Sequence, residues 1–273
     1  MTPYLDLQPG RSVVAPFTFD GLQAVLAAQA GFEALYMTGF GTAASFGLPD
    51  LGLLTMTEMV ERAQVLAGAA RVPVIADADT GYGNPINVMR CVRSYESAGV
   101  AAIHIEDQVF PKRCGFLQNK EVIAPEQMAA KVRAAVDSRD DARFRIIART
   151  DALQPNGWDD VCRRAELYLG AGADLLFVDG IRSREDLDVY CQRLGQFPLV
   201  YNGMLEPVAD LCARGFALVL HPGTLMRHIE DFRSSLQALA GTGEISVSGS
   251  SFRDAIAALG VADVLALSER YEA

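Results

Sequence analysis

The chain has 273 residues, of which 50% are hydrophobic and 21% are charged, and its formal net charge at pH 7 is −10. This composition predicts one globular domain with a sizeable core, and the acidic balance argues against a nucleic-acid or anionic-membrane surface. We find neither an apolar run of about 18 residues, as a membrane span requires, nor a signal-peptide pattern. The five cysteines are odd in number and lack CxxC spacing, so we expect reduced thiols in a cytoplasmic protein.

Short apolar runs alternate with amphipathic helical stretches from residue 13 onward. The apolar runs predict eight strands at Val13–Ala15, Ala34–Met37, Val74–Ala76, Ala101–Ile105, Arg145–Ala148, Leu175–Val178, Leu199–Tyr201 and Ala217–Leu220. The stretches between them predict helices at Gly21–Ala30, Thr57–Ala70, Pro85–Ala98, Pro125–Asp137, Trp158–Gly170, Arg184–Leu194, Glu206–Ala213 and Thr224–Leu239. Consecutive strand–helix pairs indicate an α/β fold of the TIM type, a closed (β/α)8 barrel, and the alternative is a doubly wound open sheet.

The C-terminal part of the chain has a different pattern. Residues 241–250, GTGEISVSGS, are small and polar and predict a linker. Two short helical patterns follow at Ser251–Leu259 and Ala262–Tyr271, and they exceed the eight helices that a barrel needs. We therefore divide the chain into a catalytic barrel over residues 1–240 and a segment of linker and helices over residues 241–273. The extra helices either cap the barrel or reach a neighbouring subunit.

The stretch VIADADTGYG, residues 74–83, places Asp77 and Asp79 directly after the third predicted strand. If the chain stays extended this far, both side chains point to the same face. Two like charges beside an apolar wall repel each other and are costly to desolvate, and a hard cation such as Mg²⁺ would resolve both problems. The alternative is a solvated pair of aspartates at a helix start.

Polar residues also follow the other predicted strands, at the end of a barrel where active sites form. The segment YMTGFG, residues 36–41, offers hydrogen-bond donors and a glycine turn that could approach an anion closely. Alternation along the fourth strand places His104 and Glu106 on one face and Asp107 on the other. Further polar residues in such positions are Asp50, Arg149, Asp151, Asp179, Asn202 and His221.

Cys114 differs from the other four cysteines, which lie in helical patterns typical of small buried hydrophobic residues. It lies in a loop bounded by proline and glycine, beside Lys112 and Arg113. Adjacent cations favour the thiolate, so Cys114 could exchange protons near neutral pH.

Five ordered segments, YMTGFG, LPDLG, ADADTGYGN, HIEDQVFPKRCG and IARTDA, resemble the isocitrate lyase / phosphoenolpyruvate mutase superfamily over about residues 10–240. The KRCG segment points to its carbon–carbon lyase branch, with 2-methylisocitrate lyase and 2,3-dimethylmalate lyase. The resemblance implies a modified barrel with a Mg²⁺ site that could also take Mn²⁺, and a small 2-hydroxy di- or tricarboxylate substrate. It also implies a homotetramer, a dimer of dimers, whose C-terminal helices are swapped between subunits.

The resemblance further implies roles for individual residues. Tyr36, Thr38 and Gly39 match positions that hold the 2-oxo acid half of the substrate, and Tyr36 is also a candidate base. Arg149 matches the arginine that contacts the oxygen on which charge changes. Cys114 matches the thiol that protonates the carbanion left by C–C cleavage, on a mobile lid. The residues that match metal-binding carboxylates, several of them acting through water, are Asp50, Asp77, Asp79 and Glu106.

The residue types alone leave other interpretations open for two of these positions. Tyr36 could be a capped core aromatic residue, and Arg149 could belong to a surface ion pair.

Five positions bear on substrate choice because the family pattern varies there. Phe116 follows KRCG where the lyases usually have histidine, which suggests a less polar leaving half. Phe40 replaces a common glycine and would narrow or reshape the pocket, and Asp179 is one methylene shorter than the glutamate of many relatives. Phe177 leaves room for a methyl group where isocitrate lyases have tryptophan, so pyruvate is favoured over glyoxylate. Asn202 begins NGMLE, which is similar to the NMxE of dimethylmalate-type relatives.

We therefore expect a Mg²⁺-dependent lyase that releases pyruvate and a carboxylic acid by retro-aldol cleavage. The first alternative is an oxaloacetate-type 2-oxo acid decarboxylase or hydrolase, or a P–C bond enzyme of the same superfamily. The second is a catalytically weak barrel that only binds a carboxylate.

Overall fold

The structure is a computed structural model that describes residues 3–115, 117–247 and 251–272. Eight parallel strands pair in sequence order and close into a barrel, in which β1 also pairs with β8. The strands are β1 Val13–Thr18, β2 Leu35–Met37, β3 Val74–Asp77, β4 Ala102–Glu106, β5 Arg145–Thr150, β6 Leu175–Val178, β7 Leu199–Asn202 and β8 Leu218–His221. The predicted closed barrel is confirmed, and the open-sheet alternative is wrong.

Helices surround the barrel, and most match the predicted ones closely. They are α1 Gly21–Gln29, α2 Gly39–Ser45, α3 Met56–Ala70, α4 Pro85–Ser97, α5 Pro125–Ser138, α6 Leu153–Gly170, α7 Arg184–Leu194, α8 Val208–Ala213, α9 Gly223–Thr242, α10 Phe252–Ala258 and α11 Val261–Glu272. The sequence predicted a glycine turn where α2 forms. Thr38 Oγ1 accepts a hydrogen bond from Gly41 N (3.3 Å), and this N-cap offsets the weak helix propensity of the glycines. The helix predicted from Trp158 begins five residues earlier at Leu153, because a second helical segment joins it at Gly157 (φ 77°).

The barrel is filled by side chains rather than open along its axis. Ile75, Ala102, Ile147 and Leu175 belong to one buried cluster in the barrel interior, while alternate residues such as Ile103 pack outward against the helices. A filled interior restricts a substrate to the end of the barrel at which the strands finish.

The last two helices, α10 and α11, have little contact with the barrel, whereas α9 packs against β1. One contact is a hydrogen bond from Gln29 Nε2, at the end of α1, to Ala258 O, at the end of α10 (2.8 Å). Residues 248–250 of the predicted linker lie outside the described residues, and its first residues belong to α9. In the described part of the chain, none of the helices combines the length and apolar character that crossing a membrane requires. Large apolar side chains are exposed on α9, α10 and α11 and at the end of α10: Phe232, Leu236, Leu239, Phe252, Leu259, Val264, Leu265, Leu267 and Tyr271.

Candidate active site

Asp77, the last residue of β3, and Asp79, two residues later, are both buried at the mouth of the barrel, but they are not related by strand alternation. Asp79 has a left-handed backbone (φ 46°), so the condition for a shared face, a chain that stays extended, is not met. Its N–H donates to Asp77 Oδ1 (3.0 Å), which stabilises the turn. Asp77 Oδ2 in turn accepts from Gly39 N (3.2 Å), and a Cβ on Gly39 would lie 2.3 Å from that oxygen. Position 39 therefore requires glycine for Asp77 to keep its place.

Asp77, His104 and Glu106 form a buried cluster with the geometry of a cation site. One potential ligand atom from each lies within 4.8 Å of the others. Glu106 Oε1 accepts from Gln108 Nε2 (3.0 Å), whereas Oε2 lies 3.2 Å from Arg149 Nη1 and accepts no hydrogen bond from the described residues. Burial raises the pKa of Glu106 well above its usual value, because a charged carboxylate is poorly solvated here. A divalent cation would offset that cost, so these donors fit one.

The ammonium of Lys112 contacts the other two predicted metal ligands, Asp50 and Asp79. Its Nζ lies 2.5 Å from Asp50 Oδ1 and 2.9 Å from Asp79 Oδ1. Burial raises the pKa of Asp79 to about 6, even though the neighbouring ammonium lowers it. Asp50 and Asp79 thus contact the cationic side chain of Lys112, while Asp77 and Glu106 belong to the buried cluster. That all four carboxylates serve one metal stays a prediction.

Tyr36 and His104 form a buried pair beside this cluster. Tyr36 Oη and His104 Nε2 are 2.8 Å apart. Burial lowers the pKa of His104 to about 4, so its imidazole is neutral near pH 7, and burial raises the pKa of Tyr36 well above its usual value. The sequence placed His104 at a strand end without giving it a role. The alternation that puts it on the face of Glu106 was the available signal.

Arg149 is buried among carboxylates, which excludes the surface ion pair considered for it. Its Nε and Nη2 donate to Asp151 at 2.9 and 3.0 Å, and Nη2 lies 3.5 Å from Asp179 Oδ2. The guanidinium also lies over the Phe177 ring, 5.1 Å from its centroid. The sequence placed Asp151 at the same strand end as Arg149 but gave it no role in the site.

Cys114 lies in the segment that we call the flap, residues 111–115 and 117–120, which follows β4. The backbone N–H of Cys114 donates to Asp50 O (3.1 Å), and its side chain is half-buried. The ammonium of Lys112, expected to favour the Cys114 thiolate, is paired with Asp50 and Asp79, and its effect on the thiol stays a prediction. Phe116, on which the expectation of a less polar leaving half rests, lies outside the described residues.

The remaining predicted substrate contacts surround the same mouth. Thr38 caps α2, and Phe40 is 39% exposed on the first turn of that helix. Asn202 ends β7, and its Oδ1 is buried without a hydrogen bond from the described residues. Their contact with substrate stays a prediction.

Comparison with known proteins gives a family for this arrangement. The family model described as phosphoenolpyruvate phosphomutase matches residues 6–240. The chain is 45% identical over 222 residues to 2,3-dimethylmalate lyase of Eubacterium barkeri, which covers 79% of this chain and 77% of that one. Curated relatives that are 37–45% identical over most of the chain are named lyases.

Two solved structures share the fold over nearly the whole chain. Oxaloacetate acetylhydrolase in complex with 3,3-difluorooxalacetate superposes with a TM-score of 0.91 at 34% identity, over 96% of this chain and 93% of that one. Phosphonopyruvate hydrolase in complex with oxalate and Mg²⁺ gives a TM-score of 0.88 at 30% identity, over 97% and 95% of the two chains. With the closed barrel and the carboxylate cluster at its mouth, these matches show that the chain belongs to the phosphoenolpyruvate phosphomutase family, within the phosphoenolpyruvate mutase / isocitrate lyase superfamily.

Proposed function

We propose that this protein is a Mg²⁺-dependent carbon–carbon lyase that cleaves a small 2-hydroxy acid to pyruvate and a second carboxylic acid. The observation that carries the proposal is the flap: the backbone N–H of Cys114 donates to Asp50 O, and the ammonium of the neighbouring Lys112 contacts Asp50 and Asp79, at the barrel mouth that also holds the cluster fitting a cation. The similarity to 2,3-dimethylmalate lyase supports the same chemistry.

Asp77 and Glu106 would hold the cation, with Asp50 and Asp79 acting through water. When bound, the ion supplies positive charge that favours ionisation of the substrate hydroxyl. Mn²⁺ would be accepted by the same oxygen donors.

The protein's own residues stabilise the developing charge and carry out the proton transfers. Arg149, oriented by Asp151, stabilises negative charge on the substrate oxygen. Tyr36 takes the hydroxyl proton and passes its own proton to His104 Nε2. Because the pKa of His104 is low, His104 returns this proton to solvent before the next turnover, which balances the proton that Cys114 later takes up. The C–C bond then breaks, its electron pair moves to the departing acid, and the carbinol carbon becomes the ketone of pyruvate. Cys114 donates its S–H proton to the carbanion carbon and is reprotonated from solvent.

Two residues, Phe177 in the structure and Phe116 in the sequence alone, bear on the substrate preference. Phe177 lies under Arg149. We expect its ring, which is smaller than tryptophan, to leave space for a methyl group, which favours pyruvate as the 2-oxo product. Together with Phe116, this favours a 2-alkylmalate over a 2-methylisocitrate-like tricarboxylate.

The quaternary structure belongs to the same proposal. The exposed apolar side chains of α9, α10 and α11 suit a homotetramer in which the C-terminal helices pack on a neighbouring subunit. Light scattering should find four chains for the full sequence and a smaller assembly after truncation at residue 240.

The direct test is pyruvate release from 2-methylisocitrate and a panel of 2-alkylmalates that carry a methyl group at C2, followed with a coupled dehydrogenase. We expect Cys114→Ser to lower turnover by about 100-fold or more, because a positioned proton donor typically contributes about that much. Cys162→Ser, a half-buried cysteine on α6, is the matched control and should keep full activity. Absence of pyruvate from every acid would refute the proposal.

One structural match favours a second candidate function, the hydrolysis of oxaloacetate. In that case wild-type protein and Cys114→Ser should both release acetate and oxalate from oxaloacetate. A barrel that only binds carboxylates would bind oxalate in calorimetry and turn over none of these acids.

A further inference from the structure

The chain contains three lysines, Lys112, Lys120 and Lys131, and all three are buried. Lysine is almost never buried unless its ammonium is paired, because desolvating the charge is costly. Lys131 lies on α5 and donates to Thr80 O (2.9 Å). The other two lie near opposite ends of the flap, and the chemistry proposed above uses neither as a proton carrier.

Lys120 makes three polar contacts that join the flap to the barrel. Its Nζ donates to Asp151 Oδ1 (2.8 Å), to Asp179 Oδ2 (3.2 Å) and to Gly115 O (3.0 Å). Asp151 and Asp179 follow β5 and β6, so this one ammonium connects two strand ends with the backbone residue next to Cys114.

Gly115 lies close to the side chain of Asp179. A Cβ at this position would lie 2.1 Å from Asp179 Oδ2, a distance that no side chain can accept without displacement. Since the other end of the flap is held by Lys112 against Asp50 and Asp79, Cys114 lies between two anchored points.

The charges of Asp151 and Asp179 explain why closure of the flap and binding of an anionic substrate should reinforce each other. With the flap closed, Asp151 and Asp179 face two cations, Arg149 and Lys120. Withdrawal of Lys120 would leave Arg149 alone to neutralise both carboxylates, so less of its positive charge would remain for an anionic substrate.

We propose that Lys120 is a positioning residue that holds the flap closed by binding between Asp151 and Asp179, and that the absence of a side chain at Gly115 permits this closed position. The role in catalysis rests on the lyase function proposed above, whereas flap closure can be measured without turnover.

Because the chain has three lysines, the chemical modification of each one can be followed separately. An amine-reactive reagent and mass spectrometry would report the modification rate of Lys112, at the other end of the flap, with Lys131 as the internal reference in the same sample. We expect Lys120→Met to raise the Lys112 rate by about tenfold or more, because hydrogen bonds to a charged group are lost. Lys120→Arg should keep the wild-type rate within about threefold. Gln118→Ala, which removes an exposed flap contact with Gln154, should leave it unchanged.

A second variant tests whether a side chain at position 115 prevents the closed position. Unlike Lys120→Met, this variant keeps the ammonium that neutralises Asp151 and Asp179. Gly115→Ala should raise the Lys112 modification rate as Lys120→Met does, with an unchanged Lys131 rate showing that the barrel stays folded. Oxalate should slow Lys112 modification in the wild type and much less in Lys120→Met. If the lyase function holds, both variants should lower kcat more than they raise KM, because closure positions the proton donor.

Folded Lys120→Met and Gly115→Ala proteins with wild-type Lys112 protection would overturn the proposal. An opened flap in both variants, together with wild-type protein that yields no pyruvate, would instead support the role of Lys120 and contradict only the lyase function.

Discussion

The stability that the site gains from contacts outside the barrel interior can be tested at the carboxylate of Asp107. It points away from the barrel interior and accepts four hydrogen bonds, from Thr150 Oγ1 (2.7 Å), Asp151 N (2.9 Å), Arg164 Nη1 (2.9 Å) and Tyr168 Oη (2.7 Å). In Asp107→Asn the shape is kept, but the amide NH₂ must face at least one of these buried donors. Arg164 also loses its buried counterion.

Removing one partner of a buried ion pair costs about 3–5 kcal/mol. An unfolding entropy of about 2.1 cal/mol/K per residue corresponds to about 0.57 kcal/mol/K for 273 residues. The midpoint of thermal unfolding should therefore fall by about 5–9 °C, as measured by circular dichroism at pH 7 and fixed protein concentration.

Asp160→Asn is the matched control, because Asp160 binds the same arginine. Its Oδ2 accepts from Arg164 Nε at 2.7 Å, but the aspartate side chain is 20% exposed and the pair spans one helical turn. Such pairs contribute about 0.3–0.5 kcal/mol, so the midpoint should fall by about 1 °C. Equal shifts for the two variants, or a loss below about 1 kcal/mol for Asp107→Asn, would refute the argument.

Two other predictions concern the site itself. In metal-free protein, one of the three histidines, His104, should stay neutral down to about pH 4, because burial lowers its pKa to about 4. Since this pKa lies below that of the unfolded chain, about 6.5, folding is penalised increasingly as the pH falls from about 6.5 to 4. Histidine ¹⁵N chemical shifts would record the titration, and three ordinary titrations would contradict it. Gly39→Ala should weaken metal binding by about 10-fold or more, because the added Cβ displaces Asp77, whereas Gly68→Ala, which meets no heavy atom within 4 Å, should not.

The sequence was sufficient for the barrel because the strands are short apolar runs and the helices between them carry periodic signals, to which several add an N-cap. Asn84 and Thr55, for example, cap α4 and α3 in the way that their residue types suggest. The sequence was less informative where backbone conformation depends on tertiary contacts. The left-handed conformation of Asp79 could not be inferred from a pattern of alternating carboxylates.

The partners of the flap lysines could not be predicted for a different reason. Lys112 meets Asp50 across 62 positions of sequence, and Lys120 meets Asp179 across 59 positions. Such pairings depend on where the flap lies over the closed barrel, which local patterns do not encode. The positions at which polar residues follow each strand did identify the mouth of the barrel, but not which acid pairs with which cation.

The central claim is that carboxylates at this mouth bind one divalent cation, and a titration of metal-free protein with Mn²⁺, followed by electron paramagnetic resonance, tests it most directly. The wild type should bind one ion per chain, and Asp77→Asn and Glu106→Gln should each weaken binding by about 10-fold or more. Asp174→Asn is the control, because Asp174 pairs with Arg139 and Arg145 near the start of β5, and it should bind like the wild type. Equal affinity in the wild type and Asp77→Asn, or no binding by the wild type, would contradict the account.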